Sequence, residues 1–303
     1  MNISAILPTF VVTLREGFEA ALVVGIVMAC LQKAQQTRLY PWVYGGIFGG
    51  VITSLLVGIL LGGILQQLSV SDQPYAPVIQ EFLEASFGLL AIALLSWMLI
   101  WMTQQAKTLK AEVEGAVTQA LQGEGAGWAV FSLILIAVLR EGFETVLFIV
   151  AKFQSGFTTP TLGAVSGLLS ATLLGYLLFQ LGVKINIRLF FQVMGVFLLL
   201  IVGGLVVGAL KHINGGVDLL TALNPQYAAL CWGETTCLLG GLVWDTSSIL
   251  PDKAFPGIVL KALFGYRDHL YAMQAIAYLA FLSLVGGRYF QSLRPSPPKV
   301  SSP

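Results

Sequence analysis

The sequence predicts an all-α integral membrane protein of seven transmembrane helices, built as two inverted three-helix repeats plus a C-terminal helix, and three observations carry that prediction. Only 10% of the 303 residues are charged, against roughly 25% in ordinary soluble domains. Hydrophobic residues reach 56% with a mean hydropathy of +0.84, which leaves too few polar side chains to clothe a water-exposed surface. Apolar stretches of about 20 residues, the length that crosses roughly 30 Å of hydrocarbon, recur seven times. Membrane lipid is therefore the main solvent. A net charge of +1 without any basic block gives no basis for nucleic acid as a partner.

The first span covers residues 4–30. No Lys or Arg precedes it, and Arg15 and Glu16 interrupt its apolar run, so it reads as a retained helix rather than a signal peptide. The second span, 43–65, carries glycines four apart (Gly45/Gly49, Gly46/Gly50, Gly58/Gly62), as do the fifth, 161–181 (Gly163/Gly167), and the sixth, 189–210 (Gly204/Gly208). Small residues at that spacing predict close helix packing. The third span, 82–102, opens on Glu81 and Glu84, which share one helix face below Asp72. Taken alone, that pair is equally a solvated helix N-terminus, where acids are favoured by the macrodipole.

The fourth span is 128–151 and the seventh 270–290. Lys33, Arg38, Lys107, Lys110, Lys184, Arg188, Arg288, Arg294 and Lys299 lie in the loops of one side, and Lys152 in those of the other. The positive-inside rule then places the N-terminus outside and the C-terminus in the cytoplasm. The organisation that follows is a first repeat at 1–102, a cytoplasmic loop at 103–127, a second repeat at 128–210, an external loop at 211–269, the seventh helix at 270–290 and a disordered Pro/Ser-rich tail at 291–303. The cytoplasmic loop, with Lys107, Lys110, Glu112, Glu114 and Glu124, reads as a surface helix. Cys231 and Cys237, flanking Glu234 on the oxidising side, predict a local disulfide. His212 and His269 read as interfacial polar residues, and Asp245 as a residue lining a mouth.

Function is concentrated in a repeated charged motif. Leu14-Arg15-Glu16-Gly17-Phe18-Glu19 in the first span recurs as Leu139-Arg140-Glu141-Gly142-Phe143-Glu144 in the fourth, 125 positions on. Each copy lies near mid-span, where an ionisable residue costs at least about 2.5–3.5 kcal/mol. At 3.6 residues per turn the Arg and both Glu of one copy fall within an arc of about 100°, so one face carries each motif. The two spans cross in opposite directions, which makes 1–3 and 4–6 an inverted repeat with a site at the midplane interface. Each motif nets −1 when ionised, and the pair −2, matching a divalent cation. With no Cys, Met or His in either motif, the ligands are carboxylates only and suit hard or borderline ions. The plain alternative is a pair of structural ion pairs, Arg15 with Glu19 and Arg140 with Glu144, but desolvation makes such pairs weak stabilisers and leaves the second Glu of each copy idle.

The duplicated Arg-Glu-Gly-Phe-Glu resembles the hallmark of the high-affinity iron permease family, the oxidase-dependent iron transporters of fungi and their bacterial relatives. Glu81-Phe-Leu-Glu84, Leu95-Ser-Trp97-Met98 with Trp101-Met102, and Leu263-Phe-Gly265-Tyr266 extend the resemblance over nearly the whole chain. It implies a multi-pass protein of the plasma membrane (the bacterial inner membrane) that imports iron, Fe2+ or Fe3+, as transported substrate, with no tightly bound cofactor. It also implies Glu16, Glu19, Glu141 and Glu144 as central metal ligands, Arg15 and Arg140 as residues orienting them, and Glu81 and Glu84 as an outer metal relay. An extracytoplasmic oxidase or iron-delivery protein is the implied partner. No Gly-x-x-x-x-Gly-Lys-Ser/Thr occurs, so the expectation is secondary transport by alternating access rather than ATP-driven transport. Two alternatives remain on the residues. One is a permease for another cation such as lead or manganese. The other is an intramembrane metalloenzyme, a metalloprotease or di-iron oxidase, which would ordinarily recruit histidine from within the spans.

Overall fold

The structure, a computed structural model, describes residues 3–68, 75–105, 109–123, 125–151, 158–182, 186–232 and 236–293. Asp72, Lys107, Glu124, Lys152, Lys184, Glu234 and the tail from Arg294 through Lys299 to the C-terminus lie outside the described residues.

Six long helices follow the apolar stretches: α1 (Ile3–Lys33), α2 (Tyr40–Leu68), α3 (Ala76–Gln105), α5 (Ala126–Ala151), α6 (Thr158–Phe179) and α7 (Ile187–Leu223). Among the described residues four segments are long and apolar enough to cross a membrane on length and composition alone: Thr37–Gly63, Ala76–Trp101, Pro160–Phe179 and Ile187–Leu223. α1 and α5 match them in length, but each carries three ionisable residues of the motif within one span. The last helix is divided: α9 (Ala272–Phe281) passes through a π turn at Leu282–Gly286 into α10 (Gly287–Leu293).

Helix pairing follows a strict pattern. The most extensive interfaces are α1 with α6, α2 with α5 and α3 with α7, and α1 also crosses α5. Glycines make the first two possible. A Cβ on Gly163 or Gly167 of α6 would lie within 3 Å of the α1 backbone, at the Ile6 carbonyl and at Phe10 O and Leu14 N. Across the other interface, Gly46 and Gly50 of α2 meet the Phe131 carbonyl and Leu139 N of α5. Phe131 and Leu139 stand 125 positions after Ile6 and Leu14, the spacing of the charged motif. Gly17 on α1 meets Ala171 of α6, and Gly142 on α5 meets Ser54 of α2, in the same correspondence. The predicted glycine packing is thus present, and it recurs at the interval of the motif.

Two sequence expectations change, and a third gains detail. The sixth span was predicted to end at 210 and an external loop to begin at 211, yet α7 runs on to Leu223. Gly215 and Gly216 present bare faces to Glu81 and Phe82, so α3 packs close enough to hold the extra turns, which bury Asn214, Gly216 and Val217. The described residues between 224 and 271 are also structured. A 3-10 turn (Pro225–Leu230) leads to strand β1 (Leu242–Asp245), then α8 (Gly257–Phe264), then strand β2 (His269–Tyr271), which pairs antiparallel with β1. A small ribbon therefore joins a fold predicted as all helical. α8 stops at Gly265, whose φ of +68° suits glycine, and Gly265 sits against Gly204 of α7. Leu263 of α8 packs into the cluster of Val11, Val12, Leu199 and Val202, so this segment covers the N-terminal half of α1. Finally, the segment between α3 and α5 holds α4 (Leu109–Gln122), whose Val113 and Val117 are buried against Val23, Val27 and Leu31 of α1 and Val130 and Ile134 of α5. It is the expected surface helix, exposing Glu112 and Glu114, with its valine face wedged between α1 and α5.

Candidate metal centre

The α1–α5 crossing brings the two motifs face to face. Glu16, Glu141 and Glu144 each place a carboxylate oxygen within 4.8 Å of the others. Glu19 joins them through Arg140, whose Nη2 lies 3.4 Å from its Oε1, while Arg140 Nε lies 3.1 Å from Glu141 and 3.6 Å from Glu144. Arg15 Nη1 approaches Glu16 at 3.3 Å and the Met98 sulfur of α3 at 4.0 Å. The Arg140–Glu144 pair of the simple alternative is present, and Arg140 also reaches across to Glu19 of the other motif and to Glu141.

Both arginines lie beside the carboxylates, yet they do not serve every carboxylate oxygen. One oxygen each of Glu16, Glu19, Glu141 and Glu144 is buried without a hydrogen-bond partner. Unserved buried carboxylate oxygens are expensive, and a cation is the partner that serves several at once. The residues fit an oxygen-ligated ion. The two halves are not equivalent: the Arg15 side chain is 2% exposed and that of Arg140 41%. Arg140 and Glu144 open onto a cavity of about 510 Å³ between α3 and α5, walled by Leu94, Trp97, Trp101 and Phe143. The Trp101 ring lies 4.8 Å from the guanidinium carbon and shields that charge.

A second cluster lies toward the N-terminal end of α3. Glu81 and Glu84 are not a bare helix start, since α3 begins at Ala76. His212 Nδ1 of α7 stands 2.7 Å from Glu81 Oε2 and 3.2 Å from Glu84 Oε2. The sequence reading placed His212 at the membrane boundary of a loop. Its position in the continued α7, facing α3, was hidden because the apolar pattern weakens after residue 210. Gln80 Nε2 donates to Glu84 Oε1 at 3.0 Å and fixes that carboxylate.

On the segment that follows α7, Cys231 and Cys237 form the predicted disulfide and Cys30 stays reduced. Asp245 is exposed on β1, accepts hydrogen bonds from Ser247 and lies 3.4 Å from His269 Nε2. The Ser247 hydrogen bonds hold its carboxyl below the usual range, and the Asp268 hydrogen bond raises His269 above its ordinary 6.5. Asp252, buried, is held by Lys261 at 2.7 Å and Arg267 at 3.7 Å.

Residues 6–290 match the Iron permease FTR1 family. The uncharacterized protein slr0964 of Synechocystis is 50% identical over 295 residues, 97% of this chain and 96% of its own. The ferrous iron permease EfeU of Escherichia coli O157:H7 is 31% identical over 261 residues, 86% of each chain. EfeU of Yersinia pestis is 28% identical over 276 residues, 90% of this chain and 89% of its own. No solved structure matches the chain. The chain is a multi-pass membrane protein and belongs to the iron permease family.

Proposed function

We propose that this protein imports iron across the plasma membrane through the paired motifs of α1 and α5, with Glu16, Glu19, Glu141 and Glu144 as the transient ligands and Arg15 and Arg140 orienting them. The observation that carries this reading is the convergence of Glu16, Glu141 and Glu144 within 4.8 Å, each with one buried oxygen lacking a hydrogen-bond partner. An ordinary structural ion-pair network would satisfy those atoms. Glu81 and Glu84 relay the ion from outside. The relatives named ferrous iron permease favour iron over lead or manganese as cargo.

Seven spans, with the N-terminus outside and the C-terminus cytoplasmic, form two inverted three-helix repeats. The recurrence of helix contacts at the motif's 125-residue interval supports that reading. Alternating access then proceeds between α1/α6 and α2/α5 as the moving pairs, since each pair is locked by glycine contacts. The inequivalent exposure of Arg15 and Arg140 is what one end state of such a cycle displays. An extracytoplasmic oxidase or delivery protein is the proposed donor.

Radioactive iron uptake by cells expressing Glu16→Gln, Glu144→Gln and Glu84→Gln tests the assignment, with surface expression measured alongside. Near-abolition is expected for the first two and partial loss for the third. Normal uptake by both central variants would overturn the site, and manganese or lead competing as well as unlabelled iron would overturn the cargo.

A further inference from the structure

The outer cluster has a feature that acidic residues alone lack. Two carboxylate oxygens, from Glu81 and Glu84, converge on one nitrogen, Nδ1 of His212, at 2.7 and 3.2 Å. That nitrogen carries at most one proton, and one N–H cannot point well at two acceptors. A cation at the shared focus satisfies all three donor atoms, which lie within 4.8 Å of one another. Gln80 already holds the other oxygen of Glu84, a supporting hydrogen bond of the kind that orients metal ligands. Space is kept open beside Glu81: Gly215, one turn beyond His212, has no side chain, and a Cβ there would lie 3.2 Å from Glu81 Oε2. All three ligands are half-buried, reachable from solvent yet partly desolvated. Lys211, Lys261, Arg267 and Asp252 are the other charged groups nearby, and Asp252 holds Lys261 and Arg267.

We propose that His212 is the third ligand of an outer site with Glu81 and Glu84, and that its imidazole makes this site selective for divalent transition ions over calcium and magnesium. The inference deepens the relay proposed above and rests on that reading only for the direction of travel. Hard all-oxygen sites suit calcium and magnesium, whereas a nitrogen donor adds affinity along the series from manganese upward. The ligands come from α3 and α7, so a bound ion also ties together the two helices that face each other across the bundle.

The test uses the full chain in lipid nanodiscs with Glu16→Gln, Glu141→Gln and Glu144→Gln combined, and Mn2+ as the probe. Pulsed electron paramagnetic resonance reads nitrogen coupling to the bound ion directly. One Mn2+ with a ¹⁴N signal is expected, retained in excess Ca2+. Adding His212→Gln should abolish the nitrogen signal and weaken binding by at least about tenfold, the scale at which even supporting partners act. His212→Asp should restore binding without nitrogen coupling. Absence of Mn2+ binding to the triple variant, or binding with no nitrogen coupling, would overturn the proposal. A triple variant that binds two ions instead refutes the central site, and its nitrogen signal still decides the outer one.

Discussion

Replacing Gly167 by alanine puts the packing logic of the bundle to a quantitative test. The new Cβ would lie 2.7 Å from the Phe10 carbonyl oxygen, 3.0 Å from Leu14 N and 3.0 Å from Thr13 Cβ. A carbon–oxygen contact normally settles near 3.3 Å, so α1 and α6 must part by roughly 0.6 Å. Two of the three obstacles are backbone and cannot rotate aside, which places the cost near the top of the overpacking range, about 3 kcal/mol. Alanine's better helix propensity returns about 1 kcal/mol, leaving a net loss of about 2 kcal/mol. Gly50→Ala, whose Cβ would lie 2.8 Å from Val138 Cβ and 3.2 Å from Leu139 N, should lose a similar amount if the two interfaces are equivalent. Gly63→Ala meets nothing within 4 Å and should be neutral or slightly stabilising. Thermal unfolding in detergent reads all three, and a 2 kcal/mol loss in a chain of 303 residues corresponds to a drop of roughly 3 °C. If Gly167→Ala and Gly50→Ala melt with the wild type while Gly63→Ala does too, close backbone approach is not what joins these helices.

Two further outcomes concern the segment between α7 and α9. His269 has its folded pKa raised, chiefly by the Asp268 hydrogen bond, so its contribution to the ribbon is fully present below the unfolded value of about 6.5 and is lost as pH rises through the folded value. Asp245 is lowered, chiefly by Ser247, so its contribution is present above its unfolded pKa and is lost as pH falls through the folded one. Amide exchange at residues 242–245 and 269–271 should therefore accelerate above about pH 6.5 relative to the slope set by chemistry, and His269→Gln should remove that acceleration; an identical profile in the variant would refute it. Thiol titration of the denatured, unreduced protein should find one of the three cysteines free, Cys30, and all three after reduction. Three free thiols before reduction would contradict the Cys231–Cys237 pairing.

Much of the centre was legible because its cost is visible in one dimension. Six ionisable residues inside apolar runs, duplicated at a fixed interval, require one another whatever the tertiary structure, and the expected glutamates do meet. The partnering was not legible: nothing in a helical wheel says that Arg140 serves Glu19 of the other motif as well as Glu141 and Glu144. Helix ends were least readable where apolar periodicity gives way to tertiary support. Residues 211–223 stay helical because Gly215 and Gly216 admit α3, a reason that exists only once α3 is in place. His212 was lost with that boundary. The wedge of Val113 and Val117 was likewise masked by the acids and lysines around it, since two valines make a face only when a groove receives them.

The arrangement of interfaces has a consequence for how the protein is made. Among the described residues, α1, α2 and α3 touch one another little, and so do α5, α6 and α7; the large contacts all run between the first set and the second. When synthesis has delivered only the first three helices, their glycine faces have nothing to receive them and the motif of α1 has no counter-motif. The nascent half must wait in the membrane, its charges unmatched, until α5 and α6 arrive to thread between its members. Neither half is then a folding unit by itself, and a chain cut between α3 and α4 should recover a native bundle only when both fragments are produced in the same membrane.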